Sequence, residues 1–297
     1  MDLKIIGIVA ALVSAASWAL GSILFKRIGE NVSPFGMTLA KGIIGMVLLG
    51  VVYYIEGISF ISLNVFVILV ISGLIGIAIG DTLFFASLQS LGPKTQVIFF
   101  MLGQILTAVL GMIFLKEFPT VVQWIGILVT LSGVVGVLWL KIFSSSANVS
   151  TGLKGVIFGL FAMLCFSASL ILAKDALSSI STIGATFYRI AAGTVGMMVF
   201  GLMTNNMKDW MAPLKKDIKM ITFFFISVFV VMFGGFWLSL VAIKYVNIAV
   251  ASTLNATEPL FVLPLAYFLM KEKVHRVEAI GAALTVVGVF LLTRGSL

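Results

Sequence analysis

Charge is what this sequence has least of. Acidic and basic residues make up 10% of its 297 positions, while 61% are hydrophobic. An ordinary soluble domain carries roughly 25% charged residues. Too little polar surface is available to cover a soluble globule, so a soluble fold is excluded. Histidine and cysteine are nearly absent, with one of each, His275 and Cys165. A lone cysteine closes no intrachain disulfide, and one of each builds no metal cluster. No metal and no other cofactor is expected. No catalytic triad can be assembled, and no acidic, histidine or cysteine cluster marks a lipid-modifying site. The chain is therefore expected not to be an enzyme, with an integral membrane lipid-modifying enzyme as the distant alternative.

Long polar stretches are missing as well. The mean hydropathy is +1.22, and ten apolar segments fill most of the sequence. They lie near 5–25, 35–55, 65–88, 95–115, 121–141, 153–174, 183–204, 219–243, 248–270 and 276–294. Each has about the 20 residues needed to cross a bilayer as a helix. Ten such helices use roughly 210 residues and leave roughly 87 for nine loops and two tails. That leaves no room for a nucleotide-binding domain, so transport would not be driven by an ATPase within these residues. The first apolar run, Ile5 to Leu24, is longer than a signal-peptide core and reads as a retained span. The expected fold class is all-α integral membrane, multi-pass, with the lipid bilayer as its surroundings.

The net charge of +8 does not indicate nucleic acid, because the cations fall mostly in short loops between apolar runs. Twelve of them (Lys26, Arg27, Lys94, Lys141, Lys154, Lys208, Lys215, Lys216, Lys219, Lys271, Lys273 and Arg276) share one side. Five (Lys4, Lys116, Lys174, Lys244 and Arg294) share the other. The positive-inside rule then places the first side in the cytoplasm and both termini outside.

The sequence repeats. An offset of 148 pairs Gly7 with Gly155, Lys26 with Lys174, Ser33 with Ser181, Gly36 with Gly184, and Lys41 with Arg189. Further along, an offset of 155 pairs Gly80 with Gly235, Lys116-Glu117 with Lys271-Glu272, Gly126 with Gly281, and Gly133 with Gly288. The copies span 1–143 and 153–297, joined by a Ser-rich linker at 144–152. Each copy holds five helices, an odd number, so the second enters the membrane from the opposite side. Ten transmembrane helices as two inverted five-helix repeats is an architecture of secondary transporters, with the substrate site at the repeat interface near the midplane. Ten helices can enclose such a site in one chain, so the oligomeric state stays open.

Three features in this order resemble the EamA family of the drug/metabolite transporter superfamily. They are Trp18-Ala19-Leu20-Gly21 followed by Lys26, a cation in the second helix of each copy, and Glu258-Pro259 followed by Lys271-Glu272. The resemblance covers essentially the whole chain as two tandem copies. Lys41 stands where the family usually has Arg. Gly103-Gln104 replaces a proline dipeptide, and Lys116 and Lys271 stand where Gly is usual. The resemblance implies an exporter of small metabolites, such as amino acids or related compounds, across the cytoplasmic membrane by alternating access. An uncoupled facilitator or a channel is the alternative. Trp18 and Gln104, at these signature positions, join the substrate-path candidates.

Four ionisable residues lie well inside predicted helices: Lys41, Asp81, Arg189 and Glu258. A charge at a helix centre costs about 2.5–3.5 kcal/mol on insertion scales, so such residues face a cavity or a partner. Glu258 sits beside Pro259, with Asn255 and Thr257 at the same level. Proline donates no backbone hydrogen bond, so the helix is interrupted there. Glu258 is a candidate for lining the substrate path and exchanging a proton, the candidate coupling ion. The alternative is a structural acid that locks helices together. Lys41 and Arg189 would attract an anionic group, or else pair between helices or reach toward headgroups. Asp81 follows the small-residue stripe Gly73, Gly76, Gly80. Trp237 follows its counterpart Gly234-Gly235. Matched breaks in two repeats point to a binding site, and close helix packing is the other reading.

Overall fold

The computed structural model describes residues 2–29, 32–143, 153–212, 218–261 and 276–296, with backbone alone at some helix positions such as 92–95 and 136–143. The linker 144–152, Lys271-Glu272, His275, and the side chains of Lys26, Arg27 and Trp139 lie outside the described residues. Among those described, the chain is helical and contains no strand.

The helices are α1 (Leu3–Gly29), α2 (Pro34–Glu56), α3 (Leu63–Gly73), α4 (Thr82–Phe114), α5 (Val121–Phe143), α6 (Leu153–Ala176) and α7 (Thr182–Met203). They continue as α8 (Met207–Met211), α9 (Ile218–Phe229), α10 (Leu238–Tyr245), α11 (Ile248–Asn255) and α12 (Arg276–Ser296). Among the described residues, six stretches are long and apolar enough to cross a membrane: Leu3–Phe25, Pro34–Glu56, Leu63–Leu91, Leu153–Ala176, Thr182–Met203 and Met220–Tyr245. Phe99–Phe114, Val121–Val135 and Ile280–Arg294 are shorter apolar helices.

Two segments are wound as π-helix, π1 (Leu74–Asp81) between α3 and α4 and π2 (Val230–Trp237) between α9 and α10. They occupy corresponding places in the two halves, with Gly80 in one and its mate Gly235 in the other. The expectation of plain α-helix is corrected here. A π turn takes in an extra residue and shifts the hydrogen-bond ladder, which is uncommon and concentrates at functional sites. Neighbouring hydroxyls hold carbonyls of these segments. Ser14 Oγ donates to Gly235 O at 3.1 Å, and Thr82 Oγ1 donates to Ala78 O at 2.7 Å.

The repeat is visible in the caps. Ser33 precedes α2 and accepts the Gly36 N–H at 3.1 Å; Ser181 precedes α7 and accepts the Gly184 N–H at 3.1 Å. Each hydroxyl satisfies one of the amides that a helix start leaves unpaired. Gly92-Pro93, in the gap between the apolar segments 65–88 and 95–115, lies inside α4. The chain nevertheless reverses around it. A Cβ built on Gly159 of α6 meets both Ser87 and Phe99, one on each side of the pair. In the predicted ninth helix, α11 ends at Asn255 and a turn occupies Ala256-Thr257. The Thr257 N–H bonds Leu254 O at 3.1 Å there. The helix resumes at Glu258, so the interruption falls just before Pro259.

The two halves pack chiefly against each other. α2 lies on α7, α4 on α6 and α11, α1 on α10 and π2, and α5 on α12. The last pair is reciprocal. Gly133 faces the Thr285 backbone, while Gly288, the mate of Gly133, faces the backbone of Thr130, the mate of Thr285. α8, a short helix in what reads from sequence as a loop, brings Trp210 onto Phe35, with ring centroids 5.0 Å apart and planes 13° from parallel.

Candidate functional site

A cavity lies between the halves. Its wall is largely aromatic and apolar, with Trp18 from α1, Phe100 from α4, Met163 and Phe166 from α6, and Phe236 from π2. Trp18 meets Phe236 edge to face at 4.9 Å and Phe100 at 5.8 Å. The polar wall is short: Arg189 from α7, Gln104 and Thr107 from α4, Ser239 from α10 and Asn255 at the end of α11.

Among the described residues, Arg189 is the only ionisable group on that wall, and it is 4% exposed. Its guanidinium is held by hydroxyls and not by an acid. Nε donates to Ser72 Oγ and Nη2 to Ser169 Oγ, both at 2.9 Å. The two serines are locked to each other, since Ser72 Oγ donates to Ser169 O and Ser169 Oγ to Ser72 O, both at 2.7 Å. Guanidinium carries five N–H donors in a planar fork, and the serines take two. Gly73 and Gly76 make this approach possible. Any side chain at Gly73 would strike the Arg189 carbonyl, and one at Gly76 would strike Ser169 Oγ.

Lys41 and Asp81 sit one layer behind the wall. Lys41 Nζ donates to Asp81 Oδ2, and each residue is 1% exposed. The ammonium also lies 4.4 Å from the centroid of Phe236 and 5.6 Å from that of Phe85. Phe236 therefore touches both the Lys41 charge and the cavity. It is also the residue that the 155 offset matches to Asp81.

Of the sequence candidates, Trp18, Gln104, Arg189 and Asn255 line the cavity. Lys41 and Asp81 meet each other behind it. Glu258 and Pro259 are buried beyond Asn255, off the wall. Trp237 is turned elsewhere: its indole N–H donates to Thr182 Oγ1 at 3.0 Å, at the start of α7. Its neighbour Phe236 is the residue on the cavity wall. Three buried acceptors, Gln104 Oε1, Asn255 Oδ1 and Glu258 Oε2, meet no hydrogen-bond donor in the described structure. The first two are on wall residues.

Sequence reasoning did not pick out Phe236, Ser72, Ser169 or Thr107. The only signal for Ser72 was a hydroxyl beside Gly73 in an otherwise apolar helix. Lys174 and Lys244, two of the five cations counted on one side, tie loops together. Lys174 Nζ donates to Glu117 Oε2 at 2.7 Å and to Val246 O at 3.3 Å, and Lys244 Nζ donates to Ile180 O at 3.3 Å. Glu117 Oε2 also accepts the Ile248 N–H at 2.9 Å, at the start of α11. Among the described residues, no group of three or more His, Cys, Asp or Glu side chains could hold a metal ion.

Comparison with curated proteins gives no match. A solved crystal structure of a protein is similar at 16% identity with a TM-score of 0.66, covering 98% of this chain and 97% of that one. It shares the fold. A sodium-calcium exchanger structure, soaked with 2.5 mM Na+ and 0.1 mM Ca2+, is 16% identical over 96% of each chain, but its TM-score of 0.19 carries no argument. The family profile described as the EamA-like transporter family matches twice in tandem, over residues 5–139 and 153–294. With both halves matched and together spanning nearly all of its length, this chain belongs to the EamA-like transporter family.

Proposed function

We propose that the chain is a secondary transporter that exports small metabolites, amino acids or related compounds, across the cytoplasmic membrane by alternating access. Its ten spans would be two inverted five-helix repeats, 1–143 and 153–297. One observation carries the reading: a central cavity walled by both halves, with one buried cation and two unpartnered amide oxygens among aromatic rings. A carboxylate fits Arg189, an N–H donor fits Gln104 Oε1 and Asn255 Oδ1, and an apolar body fits Trp18 and Phe236. Reciprocal packing of repeat mates, as at Gly133 and Gly288, supports exchange of the halves between two states.

The protein in reconstituted vesicles, offered a panel of labelled metabolites with and without a pH gradient, tests this. Saturable uptake that shows counterflow is expected for at least one carboxylate-bearing compound. Flux that is linear in concentration would point to a channel, and no flux of any compound would remove the transporter reading. Proton coupling is assigned to Glu258. An uncoupled facilitator is the second reading, favoured by the position of Glu258 off the cavity wall. Transport that keeps its rate and its pH dependence in Glu258→Gln decides for the second.

A further inference from the structure

The two repeats place a cation at the same position but treat it differently. Lys41 is neutralised inside the protein by Asp81, whereas Arg189 is held by two serine hydroxyls. Among the described residues no carboxylate lies within ion-pair distance of Arg189. The Lys41 ammonium lies 4.4 Å from the centroid of Phe236, a residue of the cavity wall. The charge of Lys41 would therefore be felt in the cavity if Asp81 did not cancel it. In surroundings this apolar, a net charge is screened little. Lys41, Asp81 and Arg189 together leave one net positive charge, presented at Arg189.

We propose that Asp81 sets the charge selectivity of the cavity: by cancelling Lys41 it leaves Arg189 to bind compounds with one carboxylate and makes the site reject dianions. Asp81 acts from behind the wall and does not touch the bound compound, so it is a specificity-determining residue. The proposal rests on the cavity being the substrate site of a transporter, and it names the charge class of that substrate. It also accounts for the asymmetry of the repeat. Phe236, where the second half could have carried an acid, gives Arg189 no carboxylate partner at that position.

The test is equilibrium binding to the purified protein in lipid nanodiscs at pH 8. It uses two probes with the same aromatic body and one or two carboxylates, 3-phenylpropionate and benzylmalonate. Binding is read without transport, so failure of the transporter reading and failure of this inference are distinguishable. The wild type is expected to favour the monocarboxylate by about tenfold or more, the effect of one unit charge about 10 Å away at an effective dielectric near 20. Asp81→Asn is expected to abolish or reverse that preference. Lys41→Gln, which leaves Asp81 uncancelled, is expected to weaken 3-phenylpropionate binding by about tenfold. The double variant Lys41→Met/Asp81→Leu, which removes the pair and keeps the net charge, is expected to retain the wild-type ratio. If one single variant fails to fold, the other and the double still decide. An unchanged ratio in folded Asp81→Asn, or unchanged 3-phenylpropionate binding in folded Lys41→Gln, overturns the proposal. So does loss of the ratio in the double, or a wild type that does not bind 3-phenylpropionate.

Discussion

Lys41 and Arg189 stand at matching places in the two halves, 148 residues apart, and the protein solves the burial of each differently. In the first half the charge is cancelled: Asp81 supplies a carboxylate, and aromatic faces of Phe236 and Phe85 cover the rest of the ammonium. In the second half the charge is kept, and serine hydroxyls hold it. Ser72 and Ser169 accept two of the five guanidinium donors, and the remainder is left for the cavity. A cancelled charge contributes to holding the bundle together. Under the proposed function, a kept charge contributes to binding, and matching helix positions serve structure in one copy and recognition in the other.

The strongest way to break this comparison is to remove one member of the cancelled pair. Lys41→Met strands a buried carboxylate, and taking one partner from a buried ion pair costs about 3–5 kcal/mol. The melting temperature in detergent is expected to fall steeply in this variant. It should return most of the way in Lys41→Met/Asp81→Leu, because a well-packed apolar pair is often neutral in place of a buried ionic one. A single variant as stable as the wild type would show that the pair is not structural.

Arg189→Gln should do the opposite, sparing stability and removing function. Its lost partners are two hydroxyls that can still bond each other's backbone carbonyls, so the melting temperature should move little. Transport of a carboxylate-bearing compound in vesicles should drop by about a hundredfold, the equivalent of a lost charge-assisted interaction near 2–3 kcal/mol. Ser72→Ala is expected to give a milder loss of about tenfold, since it removes one hydrogen bond to a charged group and leaves the cation in place. If Arg189→Gln instead unfolds the protein and Lys41→Met spares it, the assignment of roles is reversed.

Much of this was legible in the sequence. Scarce charge identified the four intramembrane ionisable residues, and the repeat identified Lys41 and Arg189 as mates. The capping serines, Ser33 and Ser181, fell at matching positions because a helix start needs an acceptor at a fixed place. The break ahead of Glu258 followed from Pro259. What was not legible depends on register. A π-helix inserts a residue without changing composition, so hydropathy could not show that Phe236 and not Trp237 would face the cavity. The pairing of Lys41 with Asp81, 40 residues apart, depends on how α2 crosses π1. Nor could periodicity tell that Ser72 and Ser169, from different halves, would meet under one guanidinium.

The smallest expected effect sharpens the contrast from outside. The other ion pair among the described residues, Lys174 with Glu117, lies near the ends of α6 and α4, where its side chains are 15% and 27% exposed. Water reaches it, so its Coulomb gain is small, and Lys174→Met should cost about 1 kcal/mol or less. Glu117 does more than pair, because its carboxylate also accepts the Ile248 N–H at the start of α11. Glu117→Gln keeps an amide oxygen for that N–H and should match Lys174→Met, whereas Glu117→Ala loses both and should cost about 1 kcal/mol further. Thermal unfolding of the three variants side by side measures this. Equal losses in Glu117→Gln and Glu117→Ala would mean that the cap contributes nothing. A loss in Lys174→Met as large as that in Lys41→Met would mean that depth in the bundle is not what separates the two pairs.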